Sequence, residues 1–500
     1  MNTELLKKKI LDLAIRGKLV EQRPEEGTAE DLYQQIQEER ANLIKEGKLK
    51  KKKPLSPIID EEIPFEVPKR WMWVRLENIS LRLSDGPFGS NLKKEHYTEN
   101  KEVRIIQLSN IGCEGWKNEN CKYTTFEHLK TISRSEVFPG DIVIAKMMPA
   151  GRAIIVPNSD SKYVLSSDAV GVSLDKNLLE IKYINYAINS DIFRCQVCKE
   201  ARGTTRIRTS LGKLKSYCLP LPPLAEQKRI VEKIDLLFSK LHTVEDGLVE
   251  IDKLSDLTKK KILDLAIRGK LVKQRPEECT AEDLYLQIQE EKANLIKEGK
   301  LKKEKPLAPI ENDDIPFDLP ESWKWVRIRD ISLLVTKGTT PRGGNVAYTD
   351  KGVGFLRAEN VNGLTTLNLS NLKFVSEKAH QNELKRSVLE DGDILVTIAG
   401  TLGRTAVVQS TDLPLNANQA ISIVRMIFKS ENMLKYAAFA LNANTIQQIL
   451  LRQTKQTAIP NLTLEIVGNC IIPLPPLAEQ KRIVAKVEEL LALCDKLKLK

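Results

Sequence analysis

Four segments of the chain carry the side chains with which a protein reaches base edges and phosphates: SDGPFGSNLKK at 84–94, EARGTTRIRTS at 200–210, VTKGTTPRGGN at 335–345 and LRQTKQTAIPN at 451–461. Arg and Lys supply cationic donors, Asn and Gln supply paired donors and acceptors, Ser and Thr supply hydroxyls, and glycines let the backbone come close. In the first half of the chain the candidate DNA contacts are Ser90, Lys93, Lys94, Arg202, Thr204, Thr205, Arg206 and Arg208. In the second half they are Lys337, Thr339, Thr340, Arg342, Arg452, Gln453, Lys455, Gln456 and Thr457. One such loop alone says little, but four in corresponding places of two segments point to nucleic acid. Loop composition does not separate base contacts from phosphate contacts.

Catalytic chemistry finds little support. The sequence has no GxxxxGK[ST] phosphate loop, no Asn-Pro-Pro-aromatic methyltransferase motif, no GxSxG and no HExxH. His96, His128, His242 and His380 are scattered without partners at metal spacing. Pro139-Gly140-Asp141 followed by Lys146 has the outline of a nuclease carboxylate and lysine, but no acidic residue precedes Lys146 at the required place. Its counterpart Asp393 is followed by Thr397-Ile398. Cys195 and Cys198, with Cys113 and Cys121, have the residue types of a zinc site. The other half of the chain has no equivalent, and Cys195 and Cys198 sit in a helical pattern, so no metal is expected.

The elements that must position the four loops are repeated. KKKILDLAIRGKLV occurs at 7–20 and again at 259–272, and residues 7–80 align without a gap to 259–332 with 56 identities in 74 positions. PLPPLAEQKRIV occurs at 220–231 and at 473–484. Between these blocks lie segments 81–219 and 333–472, nearly equal in length, that share only landmarks such as Gly140-Asp141-Ile142 against Gly392-Asp393-Ile394. Near-identical flanks offer two equivalent docking surfaces, while dissimilar interiors read two different targets. Each interior reads as mixed α and β: RIIQLSNI, GDIVIAK, RAIIVP and AVGVSL in the first, and GVGFLRAENV, GDILVTIAG, RTAVVQ and AISIVRM in the second. Each is followed by one helical stretch, near 178–201 and 431–453.

No proline interrupts 224–275, and Ile230, Ile234, Leu237, Leu241, Val244, Leu248 and Ile251 alternate in steps of four and three, the spacing of a coiled-coil seam. A single helix from Leu224 to about Arg268 is expected, with Gly269 as its stop. Ile483, Val487, Leu490, Cys494 and Leu497 repeat the first part of that pattern, and Ile10 and Leu13 repeat its last part. The spacing predicts an antiparallel pair, the intact central helix against a second helix divided between the chain ends. Thr28 with Asp31, and Thr280 with Asp283, mark capping boxes for a further helix in each copy. The lysine runs at 48–53 and 300–305 read as solvated linkers, and Trp71, Trp73, Trp323 and Trp325 as domain-edge core.

Composition fits this reading. The formal net charge is +11, which favours a polyanionic partner. Eight cysteines at irregular spacing suit a reducing compartment. With neither a signal peptide behind MNTELLKKK nor an apolar run long enough to span a bilayer, the expectation is a cytoplasmic protein.

The paired PLPPLAEQKRIV and LDLAIRGKLV blocks, the GKLKK to Trp-x-Trp segments and the two half-length variable regions together resemble the specificity subunit of type I restriction-modification systems, over essentially the whole chain. The resemblance implies an α+β (mixed α/β) fold: two similar target recognition domains separated by a pair of long antiparallel helices, with an internal pseudo-two-fold repeat. In that family's terms 1–62 is an N-terminal conserved helical region, 63–222 the first target recognition domain, 223–314 the central conserved helical region, 315–475 the second target recognition domain and 476–500 the C-terminal conserved helix. It further implies that each domain reads half of a bipartite asymmetric target in double-stranded DNA. The helices set the spacer and dock two modification (methyltransferase) subunits, and two restriction (translocase/nuclease) subunits complete the complex. The chain itself is then non-catalytic, without a cofactor or a membrane. S-adenosylmethionine and ATP with Mg belong to the partner subunits. The competing reading, a non-catalytic protein-binding scaffold or adaptor, calls for apolar, aromatic-rich loops, whereas aromatic residues make up only 5% of the chain.

Overall fold

The computed structural model describes residues 2–51, 53–147, 149–159, 161–199, 208–303, 307–342, 348–452, 454 and 461–497. The chain divides into two compact units, Met1–Asp246 and Gly247–Lys500, and the division falls inside the helix Leu224–Ile267.

Within the first unit an antiparallel sheet carries the strands Ser80–Asp85, Ala169–Leu174, Ile142–Ala145 and Ala153–Ile155, in that order. The run Ile142-Val143-Ile144-Ala145 is buried throughout because both faces of this sheet are covered. Period-two alternation sends Ile142 and Ile144 toward the helices, with Tyr183, Ile184, Ile230 and Ile234. Val143 and Ala145 turn to the other side, against Ile106 and Leu165. A second sheet, in the order Lys122–Thr124, Val103–Ile106, Lys162–Leu165, Glu136–Val137, supplies that other side, and its two central strands run parallel. The second unit repeats the arrangement. Its sheet is Ser332–Lys337, Ile421–Met426, Ile394–Thr397 and Thr405–Val407, backed by Lys373–Val375, Val353–Leu356 and Leu415–Ala417.

The repeated flanks do not stand apart from the variable domains. Ala14, Ile15, Leu32 and Ile36 share one core with Val170 and Tyr183, and Ile262, Ala266, Leu284 and Ile288 share one with Val424 and Tyr436. The helices Ala29–Lys45 and Ala281–Lys297 both begin with the expected capping box. Gly17 and Gly269, just past the ends of Thr3–Ile15 and Leu224–Ile267, adopt a φ of 66°, the left-handed conformation that suits glycine after a helix.

Buried polar contacts close each flank on itself, twice in the same form. The Trp71 indole donates to Glu226 Oε2 at 2.9 Å and Gln22 donates to Glu226 Oε1 at 2.5 Å. Trp323, Glu479 and Gln274 repeat this at 2.8 and 2.6 Å. Next to them Arg229 grips Glu26, and Arg482 grips Glu278. Tyr183 and Tyr436 donate to the carbonyls of Pro220 and Pro473, and burial raises both phenols well above their ordinary value, keeping the donating proton in place. PLPPLAEQKRIV thus supplies the prolyl carbonyl, the glutamate and the arginine of one network.

Burial, opposed by the Trp and Gln donors, raises the pKa of Glu226 and Glu479 above the ordinary glutamate range. A raised acid binds its proton more tightly folded than unfolded, so its contribution weakens stability as pH climbs from the ordinary value through the raised one. A glutamine in its place keeps an acceptor for the indole and offers an amide to Gln22, whose Oε1 is buried without a partner among the described residues. Glu226→Gln with Glu479→Gln is expected to leave the melting temperature at neutral pH unchanged or higher, and to flatten its fall above about pH 5. Glu226→Ala, which strands the indole N–H, is expected to cost about 1–3 kcal/mol. Calorimetry across pH separates the two outcomes.

Two expectations need correction. Each single helical stretch is two helices, Ile181–Asn189 with Asp191–Lys199 and Glu431–Asn442 with Asn444–Arg452. They part at Ser190 and Ala443, whose backbones are extended. The Ser190 hydroxyl accepts from the Phe193 N–H and starts the second helix. The long seam also opens. Ile230 and Ile234 are buried, Leu237, Leu241 and Leu248 half-buried, but Val244 and Ile251 are 39% and 38% exposed. In the first unit the partner helix begins at Thr3 and lies antiparallel, Lys7 meeting Glu245 at 3.1 Å while Gln22 meets Glu226. The second unit brings Cys494 opposite Ser255 and Glu479 opposite Gln274, again antiparallel. Polar Ser255, in the seam, is buried and donates to the Cys494 carbonyl.

Candidate nucleic-acid interface

Described residues at the edges of the sequence loops meet at a crossing of strands that is built alike in both units. In the first, Gly86 N–H donates to the Ala169 carbonyl, Lys146 N–H to Asp168, Ser166 N–H to Ile106 and Thr209 N–H to Lys146, all at 2.8–3.0 Å. In the second the same bonds join Gly338 to Ile421, Ile398 to Ala420, Asn418 to Leu356 and Leu462 to Ile398, at 2.8–3.0 Å. Gly86 and Gly338 therefore belong to the same hydrogen-bonded crossing as Thr209 and Leu462, respectively.

Side chains at this common backbone differ. The first unit holds Asp85, Lys146 and Asp168 where the second holds Lys337, Ile398 and Ala420. Lys146 pairs with Asp85 at 2.5 Å, and Asp168 meets Arg208 at 3.7 Å. Beside them opens a polar cleft of about 510 Å³, lined by Leu92, Tyr97, Gln107, Leu108, Ser109, Asn120, Lys122, Ser166, Ser167 and Asp168. Asn120 lies there at a φ of 49°, a region that non-glycine residues enter rarely. Ser166 Oγ is buried with no hydrogen-bond partner among the described residues.

Of the candidate contacts, Ser90, Lys93 and Lys94 are exposed on the 84–94 segment. Ser90 donates to Asn91, Lys93 N–H donates to His96 Nδ1, and Lys94 opens a short turn through His96. Exposed Arg208 leans on the Met147 sulfur as well as Asp168. Lys337 ends its strand exposed. Thr339 and Thr340 are half-buried, Thr339 accepting from Arg386 and Thr340 Oγ1 standing without a partner among the described residues. Arg342 is exposed and fixed by its backbone N–H on Glu383 at 2.6 Å, and exposed Arg452 closes the helix Asn444–Arg452. Arg202, Thr204, Thr205, Arg206, Gln453, Lys455, Gln456 and Thr457 lie outside the described residues.

Composition did not single out Phe88. It is 83% exposed between Gly86 and Ser90, an apolar group of the kind that meets thymine methyls or wedges between bases. Its isolation among small polar residues was the available signal. The outlined nuclease pair does not form, because Asp141 accepts the Phe138 N–H at 2.9 Å while Lys146 serves Asp85. Cys113, Cys121, Cys195 and Cys198 are all exposed, and the group of possible metal ligands found among the described residues, Glu114, His242 and Glu245, includes none of them. Lys7 already pairs with both carboxylates of that group, at 2.6 Å from Glu114 and 3.1 Å from Glu245.

Comparison with known families places this architecture. The family model for the type I restriction modification DNA specificity domain matches twice, over residues 89–251 and 320–499. The chain belongs to that family. The type I restriction enzyme EcoEI specificity subunit of Escherichia coli is 28% identical over 99% of this chain and 90% of its own length. The EcoAI specificity subunit of Escherichia coli is 27% identical over the same shares. A chain solved in work on complex assembly and conformational transition of the type I R-M system has the same fold, with a TM-score of 0.58 and 20% identity over 87% of this chain and 93% of that one. Both matches to the specificity-domain model include the end of a variable region and the PLPPLAEQKRIV block after it. No helix among the described residues is long and apolar enough to cross a membrane.

Proposed function

We propose that this chain is the DNA-recognition component of a type I restriction-modification complex, each unit reading one half of a bipartite, asymmetric target in double-stranded DNA. The observation that carries the proposal is the crossing itself: one backbone, hydrogen-bonded alike in both units, bearing different side chains in each. A scaffold for protein partners would place apolar surface there, but the cleft is lined mainly by amides, hydroxyls and charged groups. In this reading the chain does no chemistry. Two modification subunits supply S-adenosylmethionine and adenine methylation, two restriction subunits supply ATP-driven cleavage, and the repeated flanks dock the former.

Mapping methylated adenines in cells with and without this gene, the modification partner present in both, tests the reading. A split, asymmetric motif that disappears with the gene supports it. If no motif changes although both proteins are made, the recognition role is lost.

The helix Leu224–Ile267 sets the spacer in this proposal. Four residues inserted at Thr258 add about 6 Å of helix and are expected to change the accepted spacing while both half-sites keep their bases. Altered half-sites at the old spacing would remove the helix as a ruler.

A further inference from the structure

Building on the recognition role proposed above, we infer that Gln107 and Arg357 hold the same base-reading position in the two variable domains, Gln107 reading adenine and Arg357 reading guanine. The strands Val103–Ile106 and Val353–Leu356 each lead directly into this position. In both units the residue is pinned by its own N–H, which donates to an asparagine three residues on: Asn110 Oδ1 at 2.9 Å and Asn360 Oδ1 at 2.8 Å. Asn110 and Asn360 are 0% and 1% exposed. Their amides are fastened in turn to the carbonyls of Lys117 and Glu119, and of Asn368. Immediately before the position, the carbonyls of Ile106 and Leu356 accept from Ser166 and Asn418. Two strands and a buried amide thus hold the backbone in one place, which is the support a recognition side chain needs to act with a fixed geometry.

The side chains on this support differ. The Gln107 carboxamide is half-buried and lines the cleft with Asn120 and Ser166. Arg357 pairs with Glu359, while its Nε is buried without a partner among the described residues. A carboxamide offers one donor and one acceptor, matching N7 and the N6 amino group of adenine, and a guanidinium offers two parallel donors, matching O6 and N7 of guanine. Exchanging the residue on an unchanged support is a direct way for one fold to read two different half-sites.

The test uses the full-length chain expressed with its modification partner, followed by mapping of methylated adenines. Gln107→Arg is expected to change one base of the first half-site from adenine to guanine, and Arg357→Gln to make the opposite change in the second, each leaving the other half-site as it was. At the affected position the preference should shift by about ten- to a hundredfold. Gln107→Ala, which adds no bulk, should instead flatten discrimination at that one position. Variants that melt like the wild type and still methylate an unchanged motif overturn the inference and leave the recognition role standing. A wild-type chain that directs no split motif removes the recognition role itself.

Discussion

Gly86→Val is expected to abolish recognition of the first half-site while the second is still read. A Cβ at Gly86 would lie 1.8 Å from the Ser166 carbonyl oxygen, 2.7 Å from its carbon and 3.0 Å from Ser167 Cα. All three are backbone atoms, so no rotamer change makes room. That backbone cannot drift away cheaply, since Ser166 N–H is bonded to Ile106 at 3.0 Å and its carbonyl accepts from Ala169 at 3.3 Å. Overpacking costs about 1–3 kcal/mol even in cores that can give, and each backbone bond broken here adds about 1 kcal/mol. A loss of 3 kcal/mol or more, borne by the first unit, is therefore expected. Its functional effect is sharper still: the same crossing launches the 84–94 segment, anchors Thr209 and shapes the cleft beside Gln107. Gly338 is closed in alike, with Asn418 O at 2.0 Å and Ala417 O at 2.2 Å from its virtual Cβ, so Gly338→Val should produce the mirror result. Binding to probes in which one half-site at a time is scrambled reads both variants. Equal losses at the two half-sites would mean that the crossing serves stability alone.

Local signals were legible in the sequence, and long-range ones were not. The helix expected from Leu224 to Arg268 runs Leu224–Ile267, because an unbroken four-three pattern without proline has no other way to bury its apolar edge. Thr28-x-x-Asp31 and Thr280-x-x-Asp283 formed their capping boxes since both partners lie within one turn. The β-branched runs at 142–145 and 394–397 became central strands. Missed were the strands Lys122–Thr124 and Lys162–Leu165, which are short, carry little periodicity and owe their place to Val103–Ile106. The seam misled for a related reason: spacing shows that an edge is apolar, not that a helix of the same unit lies against it along its whole length. The flanks' likeness also has a source nearer than an outside partner, because Trp71, Gln22 and Glu226 must be matched to one another across the unit. Gln107 and Arg357 were passed over because loop composition drew the eye to glycine-rich segments. Their common signal, Gln-x-x-Asn and Arg-x-x-Asn directly after a strand, becomes meaningful only when the asparagine is seen to be buried.

Asp393→Ala should destabilise the second unit severely, and the contrast with Asp141 in the first explains why. Both aspartates hold the same turn, Asp393 accepting the Glu390 N–H at 2.8 Å and Asp141 the Phe138 N–H at 2.9 Å. Only Asp393 is also gripped by an arginine, Arg425 Nε at 2.7 Å and Nη2 at 2.8 Å, and it is completely buried. The hydrogen bond to Asp393 raises the Arg425 pKa, so the guanidinium stays charged and is left short of a counter-ion when the carboxylate goes. Glu390, at 2.5 Å from Nη1 but half exposed, compensates only in part. Breaking a buried pair from one side costs about 3–5 kcal/mol, which in a unit of this size lowers the melting temperature by roughly 10 °C. In the first unit the strand position matching Arg425 is Ser173, and burial raises the Asp141 pKa. Asp141→Asn keeps an acceptor for the turn and removes a charge that burial disfavours, so its effect should stay within about 1 kcal/mol. Replacing Asp393 by Leu and Arg425 by Met together should recover most of the loss, since the cost lies in the unpaired charge rather than in the missing attraction. Thermal melts of the three proteins decide the matter. If the double replacement melted as low as Asp393→Ala, the aspartate would be acting through the 390–393 turn, and the two halves of the chain would then depend on that turn equally.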